Sequence, residues 1–284
     1  MQNVMLIVKR KMKTNKKISI VFLAWNGINE TEKALESIFR YTTVPFELIL
    51  VNNGSSDGVG ELFDNIKKRS FYNDKYCYKI NVVHNSENLG VSKGYNAGLK
   101  NISNDTDYIS IYSNDWICTP KWAEKMIRCL ESEPMCGFAS AACNASATSN
   151  VNDPANPNPR IPETIDWDDP ELFEKVNAIN TDLEKVNDSM YSVNRFVCMG
   201  WLMKREVFDK VGLMDEKIKQ ANDVSYSFLA YKYGYISKTC WDTYFHHFLQ
   251  VSSKQIPREE QMKRDREDWH RVLTDPLYKK EYMI

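Results

Sequence analysis

The sequence predicts an α/β fold, a Rossmann-like, mostly parallel sheet flanked by helices, on three observations. Apolar runs rich in β-branched residues recur at 18–25, 46–51 and 108–112, too continuously apolar for strands with one wet face. Helical patterning fills the intervals between them. The residues after each run are Gly, Asn, Ser and Asp, the turn formers expected where a strand opens into a loop.

The run "ISIVFLAW" at 18–25 reads as a central parallel strand. Asn29 and Glu32 then have capping-box spacing, and Leu35, Ile38 and Phe39 share one helical face. Pro45 closes that helix, and "FELILV" at 46–51 supplies the second strand. A third is expected at 79–84, a glycine-punctuated turn and helix from Asn88, and a fourth strand at 108–112. Ligands of such sheets sit beyond the carboxyl ends of the strands, and Asp115 lies just past one.

The 284 residues are 43% hydrophobic and 26% charged, enough for one large core with an elaborated second half. A formal net charge of -1 gives no footprint for nucleic acid. Seven cysteines, odd in number and without a C-x-x-C, signal neither a disulfide framework nor a zinc site, and are expected as reduced, mostly buried thiols of a cytoplasmic protein. Near the N-terminus "VMLIV" precedes the basic run Lys9, Arg10, Lys11, Lys13, Lys16 and Lys17, the reverse of a secretory signal. No apolar stretch has membrane-spanning length. Residues 1–17 are expected as a solvated tail, with peripheral contact at the inner face of a membrane as the alternative. Between 147 and 194 the composition shifts to Asn, Pro, Asp and Ser around one helical stretch at 171–186, an insertion expected to shape a substrate lid. From Pro257 a mixed-charge helix carrying Trp269 is expected to dock on the domain.

Four segments carry the chemistry: "VNNGSSDG" (51–58), "NLGVSKGYNAG" (88–98), "YSNDW" (112–116) and "VGLMDEKIKQANDVSY" (211–226). In this order, each after an expected strand or helix, they resemble the family 2 glycosyltransferases of the GT-A fold, over 18–253. The resemblance implies one GT-A domain with a nucleotide-sugar half (18–118) and an acceptor-side half (119–253), followed by a helical tail (254–284). Family members build polysaccharides, lipid-linked glycans and glycoproteins. The implied donor is a nucleoside-diphosphate sugar, UDP favoured, and the acceptor a carbohydrate or glycoconjugate hydroxyl.

A sugar nucleotide needs hydrogen bonds for its base, dipoles for its phosphates and a cation for the leaving charge. The resemblance assigns donor contacts to Ala24, Trp25 and Asn26, to Asn52, Asn53, Ser55 and Asp57, to Asn88, Gly90, Lys93 and Asn96, and to Asn114 and Asp115. Asn52 stands where the family commonly has an aspartate facing the base; its amide can accept but also donates. Lys93 is the implied partner of the phosphates, beside backbone N–H groups at the helix start.

Ser113, Asn114 and Asp115 align with the D-x-D element, which makes Asp115 the implied ligand of Mn²⁺ or Mg²⁺. One carboxylate is enough for cations that fill their shells with phosphate and water. The alternative is a loop aspartate capping the helix near Pro120. In "YFHHF" the resemblance implies a histidine at the metal; His246 and His247 fall on opposite faces of a strand, and the sequence leaves open which one it is. Asn222 and Asp223 replace the family's acidic pair, leaving Asp223 as the implied general base, or else a helix cap. Gly200, Trp201, Asp215, Glu216 and Asn222 are implied on the acceptor side. The expected reaction is a metal-assisted, inverting single displacement. A nucleotide-sugar-binding homologue without turnover is the alternative, motivated by the departures at Asn52, Ser113 and Asn222. Nucleotidyl transfer would call for a glycine-rich phosphate loop after the first strand, which "AWNGINE" lacks.

Overall fold

The computed structural model describes residues 16–68, 75–144, 165–187, 189–194, 200–248 and 256–278. Most of the basic tail, the proline-rich part of the insertion and Cys198 lie outside these residues. Along the chain run β1 (Ile18–Ala24), α1 (Ile28–Tyr41), β2 (Phe46–Asn53), α2 (Val59–Lys68), β3 (Cys77–Asn85), α3 (Val91–Leu99), β4 (Tyr108–Ser113), β5 (Trp116–Ile117), α4 (Trp122–Glu131) and β6 (Cys136–Cys143). The second half adds α5 (Leu172–Asn187), β7 (Tyr191–Asn194), β8 (Trp201–Lys204), α6 (Arg205–Val211), α7 (Asn222–Tyr231), β9 (Ile236–His247) and α8 (Arg258–Thr274).

One sheet orders the strands β3-β2-β1-β4-β8-β6-β9-β5, with β7 also on β9. β1 lies parallel between β2 and β4, and β8 turns antiparallel between β4 and β6. Every residue of β1 and β2 is buried, as continuous apolar runs covered on both faces require. Across the sheet an aromatic chain joins Phe63 to Phe22, Tyr112, Phe245 and Trp122, with ring centroids 5.5–6.0 Å apart. No helix of the described residues is long and apolar enough to cross a membrane.

α3 lies unusually close to the sheet. A Cβ at Gly98 would stand 2.3 Å from Val21 Cγ1, and one at Gly94 2.7 Å from Leu23 Cδ1, so glycines at a four-residue spacing let the helix backbone rest on β1 and β2. The capping box expected for α1 is not used. Asn29 falls inside the helix, whose N-cap is Gly27 in a left-handed conformation. The Ile28 N–H is instead met by Asp57 Oδ2 at 3.0 Å, from the loop after β2.

Of the insertion expected to shape a lid, residues 165–187 and 189–194 are described. α5 packs on β9 and α1: Asn180 Oδ1 accepts from Thr119 Oγ1 and from the Tyr244 N–H, and Asn177 donates to the Tyr41 hydroxyl. None of the six described cysteines is in a disulfide, and all but Cys77 are buried.

At the amino end of the strands, Glu47 is fully buried and ties three strands to a loop. Its carboxylate accepts from Ser19 Oγ at 2.6 Å, from the Ser103 N–H at 2.6 Å and from Ser103 Oγ at 2.7 Å, with Lys79 Nζ at 3.2 Å. Burial alone would raise this carboxyl, but the hydrogen bonds from Ser103 and Ser19 and the Lys79 ammonium hold it below the usual glutamate value. Glu47→Gln should therefore destabilise the protein by about 1–3 kcal/mol at pH 7, read from urea unfolding. A lowered native pKa means stability that is present above the ordinary glutamate range and lost as pH falls through the native value. The gap between the two proteins should accordingly close on acidification.

Candidate active site

With β2 and β4 on either side of β1, the crevice of the sheet opens beyond their carboxyl ends. Asn114, only 2% exposed, stitches the two strand ends together: its N–H donates to the Leu23 carbonyl, and its Nδ2 to the Asn26 carbonyl at 2.8 Å and to Thr31 Oγ1 at 3.0 Å.

A cavity of about 340 Å³ lies over this point, with Trp25, Asn53, Asn88 and Gly90 on one side and Lys219, Gln220, Ile256 and Arg264 on the other. Asn53 shapes its wall: Oδ1 accepts from Asn85 Nδ2 and the Leu89 N–H, and Nδ2 donates to Asn88 Oδ1 at 2.9 Å and to the Gly90 carbonyl. A second cavity of about 230 Å³ shares Val91, Tyr95, Ser113 and Gln220 with the first and adds Asp115, Trp116, Trp201, Asn222, Asp223 and His247.

Asp115 is 7% exposed. Its Oδ1 accepts from Ser113 Oγ at 2.7 Å, and its Oδ2 lies 3.1 Å from His247 Nε2. Burial pushes the carboxyl up, but the His247 imidazole and the Ser113 hydroxyl outweigh it and hold the group below the usual aspartate value. Ser113, at the first position of the D-x-D alignment, thus serves the aspartate at the last. Lys121, not Asp115, occupies the N-cap of α4. Asp223 sits in the first turn of α7, after Ala221 at the N-cap, with Oδ1 2.8 Å from the Val224 N–H. Tyr95 lines the same cavity, and its hydroxyl is pushed up by burial and by the charges of Asp115 and Asp223, so it stays a proton donor.

The two histidines part company. His246 points into the core, its ring nitrogens facing the Tyr244 hydroxyl and the Ile165 carbonyl, and burial pushes its pKa down to about 4. Of the two histidines left open as the metal-facing one, His246 does not line the cavity with Asp115 and His247 does. Pairing of β5 with β9 sets Trp116 opposite His247 and turns that ring toward Asp115.

Among the described residues no group of three or more His, Cys, Asp and Glu could hold a metal alone. Asp115 and His247 nonetheless fit Mn²⁺ or Mg²⁺ as a two-ligand set, the remaining positions falling to phosphate and water. His247 Nε2 faces the ionised Asp115 carboxylate, which can only accept, so this nitrogen carries a proton toward it; a cation bound through Nε2 would leave the ring proton on Nδ1, buried without a partner among the described residues.

Several expected contacts lie elsewhere. Asn52 Oδ1 accepts from the Ser55 N–H and its Nδ2 faces His84 Nδ1, so Asn53 and not Asn52 lines the cavity. Asn26, Ser55 and Asp57 bind one another's loops: the Asn26 N–H donates to Ser55 Oγ, Asn26 Oδ1 accepts from the Ser56 N–H, and Asp57 caps α1. Ala24 is buried at the end of β1, and Lys93 is exposed outside both linings. Asn96 is buried against Met214 and Glu216 and reaches neither cavity, which takes Glu216 out of the site with it. Asp215 pairs with Arg271 and the Tyr278 hydroxyl. Gly200 is next to Trp201 but backs onto the Phe245 ring, 2.2 Å from where its Cβ would stand.

Tyr95, Trp116, Lys219, Gln220 and Arg264 were not expected. Tyr95 is four residues after Val91 on the same helical face, a spacing that could have singled it out. Nothing local in the sequence marks Lys219 or Arg264.

The family model described as Glycosyl transferase family 2 matches residues 19–212. An uncharacterized glycosyltransferase of Rickettsia prowazekii is 25% identical over 245 residues, 84% of this chain and 63% of the relative, so the chain spans less than two thirds of that protein. The mannosyltransferase PcManGT from Pyrobaculum calidifontis, solved with GDP-Man and Mn²⁺, superposes with a TM-score of 0.63 at 13% identity, covering 91% of this chain and 64% of that one. GalNAc-T7 with UDP, GalNAc and Mn²⁺ gives 0.57 at 12% identity, covering 82% and 43%. At such identities the likeness carries the fold, which is the GT-A fold.

Replacing His247 by Asn removes the imidazole that offsets the burial of Asp115. The Asp115 carboxyl pKa should then rise above its wild-type value, followed by ¹³C NMR of labelled aspartate across a pH titration.

Proposed function

The chain belongs to glycosyl transferase family 2, and on that premise we propose that it transfers a sugar from a nucleoside-diphosphate sugar to an acceptor hydroxyl with inversion. One observation carries the reading: Asp115, His247, Tyr95 and Asp223 converge on a single small cavity that opens into a larger one at the switch point of the sheet.

The nucleotide would occupy the larger cavity, between Trp25 and the loop held by Asn53, with UDP the favoured base. GDP-Man in one structural neighbour and UDP in another leave both nucleotides for the assay. Arg264 and Lys219 are cations on that cavity's wall and replace Lys93 as the proposed partners of the diphosphate. Asp115 and His247 would hold Mn²⁺ or Mg²⁺, which when bound stabilises the charge of the departing diphosphate. Trp116 Nε1, buried without a partner among the described residues, is a donor available to the transferred sugar.

On the acceptor side, Trp201 and Asn222 wall the smaller cavity and Asp223 faces into it. Asp223 would take the proton of an acceptor hydroxyl as its oxygen bonds to the anomeric carbon, while the bond from that carbon to the diphosphate breaks on the opposite face. The division into donor half (18–118) and acceptor half (119–253) is kept as a proposal, with Ile256 and Arg264 adding residues of the C-terminal segment to the donor cavity.

UDP or GDP should raise the melting temperature more with Mn²⁺ than without it, and Asp115→Asn should abolish the metal-dependent increment while the fold survives. Equal shifts with and without metal would count against Asp115 as ligand. Asp223→Asn keeps shape but cannot take a proton. Transfer should drop at least about a hundredfold with donor affinity retained. Wild-type-like transfer by this variant would remove Asp223 from the mechanism, and no transfer by the wild type itself would favour a binding protein.

A further inference from the structure

α7, β9 and α8 all lie beyond residue 212, where the family match ends, yet α8 is fastened directly to the loop that carries the proposed base. The fastening is Asp268, whose side chain is buried with 2% of the residue exposed. Its Oδ2 accepts from the backbone N–H groups of Lys219 at 3.0 Å, Gln220 at 2.6 Å and Ala221 at 3.1 Å, and its Oδ1 from Lys219 N–H at 3.1 Å. The charge is thus met by consecutive amide dipoles at the start of α7, a concave nest of the kind that binds anions. Neighbouring ties hold the same loop: Arg271 and Tyr278 grip Asp215, and Val272 and Tyr278 pack on Ile218 and Ala221 in a small apolar cluster apart from the main core.

The loop so held reaches both cavities. Lys219 and Gln220 line the larger one, Gln220 lines the smaller, and the next two residues are Asn222 and Asp223. We propose that Asp268 is a positioning residue for the transfer: by collecting the N–H groups of residues 219–221 it fixes where α7 begins, and with it the place of the Asp223 carboxylate. This rests on the reading of Asp223 as the base. A misplacement of about 1 Å at a reacting group costs on the order of a hundredfold in rate, so a rigid loop anchor matters to turnover more than its contribution to stability suggests. An amide there could keep an oxygen toward the three N–H groups but would set its NH₂ group against the Lys219 N–H that Oδ1 now accepts.

The test is Asp268→Asn in the full chain, assayed with whichever donor the wild type turns over best from a panel of UDP- and GDP-linked hexoses. At a temperature where urea unfolding shows both proteins folded, kcat should fall at least about tenfold, a larger factor than the loss of affinity for UDP or GDP with Mn²⁺ that loosening Lys219 in the same loop brings. Amide hydrogen exchange of the peptide containing residues 219–221 should accelerate. In an Asp223→Asn background the same substitution should remove less than about twofold more activity, since a residue acting through Asp223 has little left to act on. Wild-type kcat in Asp268→Asn, or a full additional loss in the Asp223→Asn background, overturns the proposal and leaves the base assignment standing. A wild type that transfers from no donor removes the base assignment and the proposal together. Should Asp268→Asn not fold, Asp268→Glu keeps both acceptor oxygens one methylene further out and carries the same expected outcomes.

Discussion

His247 Nε2 and Asp115 Oδ2 approach to 3.1 Å across 132 residues of chain, and that contact requires most of the fold to be in place. β9 must run beside β6 and reach β5, whose pairing sets Trp116 opposite His247. Behind it, Tyr112, Phe245 and Trp122 must interleave, and the Phe248 N–H must close onto the Asp115 carbonyl. A carboxylate as buried as Asp115 keeps its charge only with a partner nearby; without one it protonates or draws in water. The imidazole is therefore what holds the aspartate ionised.

Buried carboxylates recur at both ends of the sheet, and their partners tell their roles apart. Glu47 is surrounded by hydroxyls, a backbone N–H and a lysine that bind strands together at the amino ends. Asp268 is surrounded by backbone N–H groups. Asp115 instead faces one hydroxyl and one titratable ring, partners that can rotate or change protonation when a ligand arrives.

The sheet was legible because fully covered parallel strands must be written as unbroken apolar runs, and Asp115 was legible because it follows one of them. Errors cluster where a choice lay between adjacent residues. Asn52 and Asn53, like His246 and His247, differ by one step on elements whose faces alternate, and only pairing with a neighbour decides which step faces the cleft. Asn29 and Glu32 have the right spacing for a cap, but Asp57, brought over by tertiary structure, takes the position. Lys93 drew attention by its charge, while Arg264 and Lys219 needed α8 to be folded against the α7 loop before they could line anything. Local patterns carry strands and turns; contacts between distant segments carry the cations and the anchor.

The glycines of α3 give the cleft a dimension that no ligand-facing residue controls. Gly94 and Gly98 set the distance from helix to sheet, and Tyr95, next in the chain to Gly94 and on the lining it shares with Asp115, is carried by that distance. Even one methyl group at 94 would press on Leu23 and lift the tyrosine with the helix. The depth of the cleft is thus inherited from the spacing between helix and sheet, set at Gly94 and Gly98, neither of which lines either cavity.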